Sequence, residues 1–256
     1  MKILILGDIV GSIGCNFLKS VLIQYKKDNN IDIVIANGEN SAEGNGITEK
    51  SADMIFDSGV DIITTGNHIF KQPDYKNLLK KNNKIIRPAN LYKDIPGSGY
   101  YILKYNNIKI CVINLLGRVY MQTNNYSPFD IADKILEKVK AEIIIVDFHA
   151  EATSEKLCLG YYLDSRVTAV VGTHTHVQTA DEQIFPGNTA YISDLGMVGP
   201  IDSVLGVDKN IAILKMRKGT PVKFQNATGK CKMCGVTITV DDISFKPIDI
   251  HRIYID

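Results

Sequence analysis

The chain has 256 residues, 45% of them hydrophobic, and its 29 Lys and Arg against 28 Asp and Glu leave a net charge of +1. That apolar content is enough to bury a core, and the balanced charge excludes capture of a long polyanion or an acidic membrane by bulk electrostatics. Five cysteines, odd in number and scattered, form no disulfide framework and fit a reducing compartment, so the sequence reads as cytoplasmic.

In chain order, KILILGD from Lys2 to Asp8 reads as a first strand. Asp8 interrupts it too early for a signal peptide, and no later run approaches the ~20 apolar residues of a membrane span. The glycines of GDIVGSIG match neither the dinucleotide nor the P-loop spacing and read as a tight turn after Asp8. A helix is expected from Phe17 to Lys27, a strand in IDIVIANGEN from Ile31, a helix from Thr48 to Ser58, and a strand in DIITTGNH from Asp61. Tyr100 to Leu116 has Asn106-Asn107 between two strand-like runs, the signal of a hairpin. Then come a helix from Ile131 to Lys140, a strand in EIIIVDFHAE from Glu142, a helix from Ser154 to Leu163, and a strand in VTAVVGTHTH from Val167. Continuous Val/Ile runs alternating with helices imply a largely parallel sheet covered on both faces.

After Thr189 no further helix is expected. TAYISDLG, PVKFQNATGKCKMCGVTITV and SFKPIDIHRIYID read as antiparallel strands, giving one domain over 1–256 with a second, mixed sheet packed on the first. Cys231 and Cys234 form a lone CxxC without the second pair of a zinc ribbon or the βαβ setting of a redox motif, and are read as thiols in a hairpin turn.

The apolar runs end in potential metal ligands: Asp8, then Glu39-Asn40, then Asn67-His68, then His149, then His174 and His176. In parallel α/β sheets the carboxyl ends of the strands line one rim, where ligands bind. If Val167 to Val171 is a strand that continues, His174 and His176 point to the same face. Four of the five histidines sit at these ends, with His251 alone elsewhere. The set is too large for one four-coordinate ion and suits two metals sharing a bridging carboxylate.

GDIVGSIG, NGEN, EGNGITEK, GNH, RPAN, VINLLGR, DFHAEATSEK, GTHTHVQTAD and DLGMVGP occur in an order that resembles the YmdB-like branch of the calcineurin-like metallophosphoesterases. The resemblance covers nearly the whole chain. It implies a four-layer α/β/β/α sandwich and a phosphodiesterase whose substrates are small phosphodiesters, foremost 2′,3′-cyclic nucleotides. By motif, one metal would be held by Asp8, Glu39, Asn40 and His176, and the second by Glu39, Asn67, His149 and His174. His68 matches the family's catalytic histidine, which protonates the departing oxygen. Two ions ~3.5–4 Å apart activate a shared water as the attacking hydroxide. Nitrogen and oxygen donors without thiolate suit divalent or mixed-valence iron or manganese, with zinc compatible. Two positions depart from the pattern: Cys15 stands where relatives often have Arg, and Ile69-Phe70-Lys71-Gln72 replaces an aromatic-then-acidic continuation.

Other readings fare worse. An amidohydrolase barrel also uses His-x-His, but early in the chain and with eight βα units, which this sequence does not reach. No broad basic run supports long RNA as partner, although RNA-related phosphodiesters fit a nuclease or phosphatase variant of the same chemistry. A metal-stabilised regulatory or scaffolding protein has no use for His68. The protein is expected to act as a homo-oligomer with no membrane partner.

Overall fold

The computed structural model describes residues 1–92, 94–121, 125–219 and 221–256. Its first half runs β1 (Lys2–Val10), α1 (Gly11–Asp28), β2 (Ile33–Asn40), α2 (Glu49–Asp57), β3 (Ile62–Thr64), a 3-10 turn at Asn67–Phe70, α3 (Tyr75–Lys81), β4 (Tyr100–Tyr105) and β5 (Ile108–Leu116). The second half runs α4 (Pro128–Leu136), β6 (Ile143–His149), α5 (Thr153–Leu163), β7 (Ala169–Thr173), β8 (Gln183–Ile184), β9 (Ala190–Ile192), β10 (Met197–Pro200), α6 (Lys209–Lys218), β11 (Cys231–Val240) and β12 (Pro247–Ile255).

These strands form two six-stranded mixed sheets, ordered β12-β11-β10-β1-β2-β3 and β4-β5-β6-β7-β9-β8. Strand alternation sorts the core into three apolar layers. Leu4, Leu6, Val34 and Ala36 face Leu18 and Leu22 of α1 and Ile55 of α2. Their sequence neighbours Ile3, Ile5, Ile33 and Ile35 face the other way, against Val112, Ile143 and Ile145 of the second sheet. Val146, Phe148 and Val170 then pack on Ala132 of α4 and Leu159 and Leu163 of α5. The result is the α/β/β/α sandwich, each wholly buried aliphatic side chain contributing about 1.5–3 kcal/mol.

Local chemistry sets most boundaries. Thr48 caps α2, accepting from the Ser51 amide at 3.2 Å while Ser51 Oγ accepts from the Thr48 amide at 3.0 Å. Ser127 caps α4, with Pro128 at its first position, so that helix starts before Ile131. Asn106 and Asn107 have φ 47° and 65°, the mirror-image turn expected between β4 and β5.

Four expectations need correction. Helix α1 begins at Gly11 rather than at Phe17; Gly11, with φ 62°, makes the tight turn out of β1, whereas Gly14 lies inside the helix. Gly14 is required there because a Cβ would sit 2.5 Å from the Val198 carbonyl oxygen of β10. Beyond Thr189 the chain does form a helix, α6, and although β11 and β12 pair antiparallel as expected, β9 and β10 each also take a parallel neighbour, β7 and β1. Cys231 and Cys234 lie on β11 itself, not in a turn; three positions apart on a strand they face opposite sides, and both thiols are buried and free. Finally, β7 stops at Thr173, so strand alternation does not place His174 and His176. No helix among the described residues is long and apolar enough to cross a membrane.

Candidate metal centre

Asp8 lies on β1, Glu39 and Asn40 end β2, Asn67 and His68 open the 3-10 turn after β3, and His149 ends β6. His174 and His176 follow β7 in a turn with φ 107° and 63°. Left-handed backbone of this kind costs non-glycine residues free energy and persists only where the surroundings enforce it. Two carboxylates do so here: Asp8 Oδ2 accepts from the His174 amide at 3.1 Å, and Asp194 Oδ2 accepts from the Thr175 amide at 3.0 Å. Asp194 is itself held by Lys156 Nζ at 2.7 Å, both side chains being 1% exposed.

All eight expected residues meet. Glu39 Oε1 lies 3.0 Å from His149 Nε2 and 3.3 Å from His68 Nδ1. His149 Nε2 is also 3.0 Å from His174 Nδ1 and 3.0 Å from Asn67 Oδ1. On the other side, His176 Nε2 stands 3.6 Å from Asp8 Oδ1 and 3.1 Å from Asn40 Nδ2. Asn40 turns Nδ2 toward Asp8 and His176 and Oδ1 toward His68 Nδ1 at 2.8 Å, so service as an oxygen donor requires its amide turned over. His251 lies apart and exposed on β12.

The hydrogen-bond partners assign the tautomers. Thr173 Oγ1 donates to Asp147 Oδ1 at 2.7 Å and lies 2.9 Å from His149 Nδ1, which therefore carries the proton. His176 Nδ1 donates to the Leu205 carbonyl at 3.0 Å, and His174 Nε2 donates to Glu151 Oε2 at 3.1 Å. Each of the three rings thus spends its N–H outward on an oxygen, the arrangement that orients metal-binding imidazoles. Their lone pairs converge on buried carboxylate and amide oxygens.

Carboxylate oxygens and imidazole nitrogens crowded this closely fit a cation. Glu39, His149 and His174 alone place three ligand atoms within 4.8 Å of one another. Ionisation reflects the same crowding. Burial pulls His149 down, but Glu39, Asp8 and Asp147 outweigh it and push it up to about 9, so a cation at this ring takes the place of a proton on Nε2. Burial and the charge on His149 take His174 down to about 4. Burial would raise Glu39, yet His149 and His68 hold it well below the usual carboxylate range. Asp147, wholly buried, is pushed up to about 6 by burial.

A family model described as YmdB-like protein matches residues 4–253. The chain belongs to the YmdB-like family. It is 43% identical over 258 residues to the 2′,3′-cyclic-nucleotide 2′-phosphodiesterase of Bacillus subtilis (strain 168), covering 100% of this chain and 97% of that one. The crystal structure of a novel phosphatase from Mycoplasma pneumoniae superposes with a TM-score of 0.94 at 35% identity, covering 100% of this chain and 93% of that one. A hypothetical protein from Thermus thermophilus does so with a TM-score of 0.94 at 33% identity, covering 99% and 98%.

Several working parts of this YmdB-like site escape sequence reasoning. Gly66 is one: a Cβ there would lie 2.3 Å from Glu39 Oε2 and 2.4 Å from His149 Cδ2. Its place as the first residue of GNH was visible, but not the closeness of the carboxylate. Asp147, Thr173 and Asn37 form the support beneath His149, with Thr64 also bonded to Asp147. Lys156 and Asp194 fall within DFHAEATSEK and DLGMVGP, but nothing in those motifs says that the two pair while buried. The Leu205 carbonyl that orients His176 belongs to an irregular segment that no sequence rule marks.

Proposed function

We propose that this protein hydrolyses small phosphodiesters, foremost 2′,3′-cyclic nucleotides, cleaving the bond from phosphorus to O2′. The observation that carries this reading is the convergence of three imidazoles on buried Glu39 and Asp8, with Glu39, His174 and His176 of that group lining a cleft of about 570 Å³. That volume falls within the range of small-molecule sites. The relationship to the Bacillus subtilis enzyme points to the same substrate class.

Asp8, Glu39, Asn40 and His176 would hold one divalent ion, and Glu39, Asn67, His149 and His174 a second. Nitrogen and oxygen donors without sulfur suit iron or manganese. When bound, such a pair supplies Lewis acidity toward phosphoryl oxygens and an activated water. The chain's own groups do the rest. Thr173, Leu205 and Glu151 fix the rings, and Gly66 leaves room for the Glu39 carboxylate. His68 Nδ1 faces inward, toward Asn40 and Glu39 Oε1, and its side chain is 23% exposed, so Nε2 is the atom left for the substrate. From the doubly protonated ring it gives a proton to O2′ as the P–O2′ bond breaks and a water oxygen bonds to phosphorus, leaving the 3′-nucleotide.

Five free cysteines, four of them buried, suit the reducing cytoplasm. The test is chromatography of products from a panel of 2′,3′-cyclic nucleotides, linear dinucleotides and phosphomonoesters, using protein reloaded with iron, manganese or zinc. The 3′-nucleotide should form fastest from the cyclic substrates. Faster release of phosphate from monoesters than opening of the cyclic diesters would overturn the assignment.

A further inference from the structure

The cleft is chemically divided. One part is polar, with Glu39, Asn40, His68, His174 and His176, whereas Leu205, Val207 and Phe224 add an apolar strip, with Lys223 and Asn226 beside Phe224. Both strip segments come from the excursion between β10 and β11. Its two arms are tied together by backbone bonds, Asp208 N to Gln225 O at 2.9 Å and Ala227 N to Gly206 O at 2.9 Å.

Phe224 is 43% exposed and, among the described residues lining the cleft, the only Phe, Tyr or Trp. One face of its ring is already used: Lys215 Nζ of α6 stands over it, 4.0 Å from the centroid. A cation held this close fixes the ring against a loop that would otherwise let it turn. An aromatic ring pinned on one face, bordering a cleft with an ionic floor, matches a ligand with an anion at one end and a flat π-system at the other.

We infer that Phe224 is the platform on which the base of the nucleotide stacks while its cyclic phosphate lies on the floor. This rests on the phosphodiesterase reading above. It deepens that reading by making the nucleobase, and not only the phosphodiester, a recognised part of the substrate. Stacking tolerates any base, because every base offers a π-face. Discrimination among the four bases is therefore weak, while preference for a nucleotide over a base-free diester is strong.

The experiment compares adenosine 2′,3′-cyclic phosphate with glycerol 1,2-cyclic phosphate, which has the same reacting ring and no base. Phe224→Ala should raise KM for the nucleotide on the order of tenfold, the usual scale of a lost base–aromatic stack, with kcat retained and the glycerol diester unaffected. Phe224→Tyr should restore the nucleotide's KM, and Phe224→Leu should not. Calorimetry gives a readout without turnover: the Kd of adenosine 3′-monophosphate should rise in Phe224→Ala, while that of inorganic phosphate stays put. Equal losses on both diesters, or none on the nucleotide, would overturn the platform and leave the phosphodiesterase reading intact. Wild-type protein that opens neither diester would overturn that reading and the platform with it.

Discussion

Glu39 and His149 end strands whose flanking residues are wholly buried in apolar layers, whereas Phe224 stands on an excursion whose helix, α6, buries only Ala212 and leaves Ile213, Leu214 and Met216 exposed. Asp8, Glu39, Asn40 and His149 ride on the sandwich's own strands, so the packing that makes the fold places them, while a turn held by Asp8 and Asp194 places His174 and His176. The wall is held by a few backbone bonds and one cation–π contact. Chemistry that needs sub-ångström placement is built into the core, and recognition is left to a part that can change without unfolding it.

The contrast is sharpest where the floor has no slack. Gly66→Ala should leave a folded protein by circular dichroism that retains almost no metal and no turnover, since its Cβ would occupy the space of Glu39 Oε2. Two stoichiometric ions by elemental analysis would contradict so tight a floor. Next in size, His68→Ala should keep its metals and lose about 10²–10⁴ in kcat, the span of a missing proton donor. Full turnover would remove His68 from the chemistry.

Support beneath the floor should matter in energy. Asp194→Asn strands the buried Lys156 ammonium, and denaturant unfolding should register about 3–5 kcal/mol of lost stability. Removing the exposed Arg252–Glu182 pair should cost under ~1 kcal/mol, and equal costs would erase the distinction between inside and outside. The mildest test is chemical. Cys158 is the one exposed cysteine, while burial pushes Cys15 and Cys111 up to about 12. A thiol reagent at pH 8 should count one fast group per native chain and five after unfolding.

The same division explains what was legible in the sequence. Strand runs such as IIIVDFH are apolar up to Asp147 because both faces are covered, and each hands a polar residue to the rim where it ends. The residues that the fold brings together could therefore be picked out from order alone. His174 and His176 reach the centre for a different reason than alternation, through a turn enforced by Asp8 and Asp194, which lie far from them in sequence. Helix α6 was illegible because KNIAILKMRK buries one residue and so carries no buried stripe. Its ends did announce themselves: Asp208 caps it, accepting from the Asn210 and Ile211 amides, and Gly219 closes it with φ 63°. Gly14 misled in the opposite sense, because the sequence cannot show that a helix must touch the Val198 carbonyl.

The donor set is also divided between the two sheets. Asp8, Glu39, Asn40 and Asn67 come from the first, and His149, His174 and His176 from the second. Any cation seated among them would rivet the halves of the sandwich together, and its affinity would be added to the free energy of unfolding. At a hundredfold excess over its dissociation constant each ion should add about 2.7 kcal/mol. Chelation should then lower the melting temperature by several degrees, making heat resistance a gauge of metal supply.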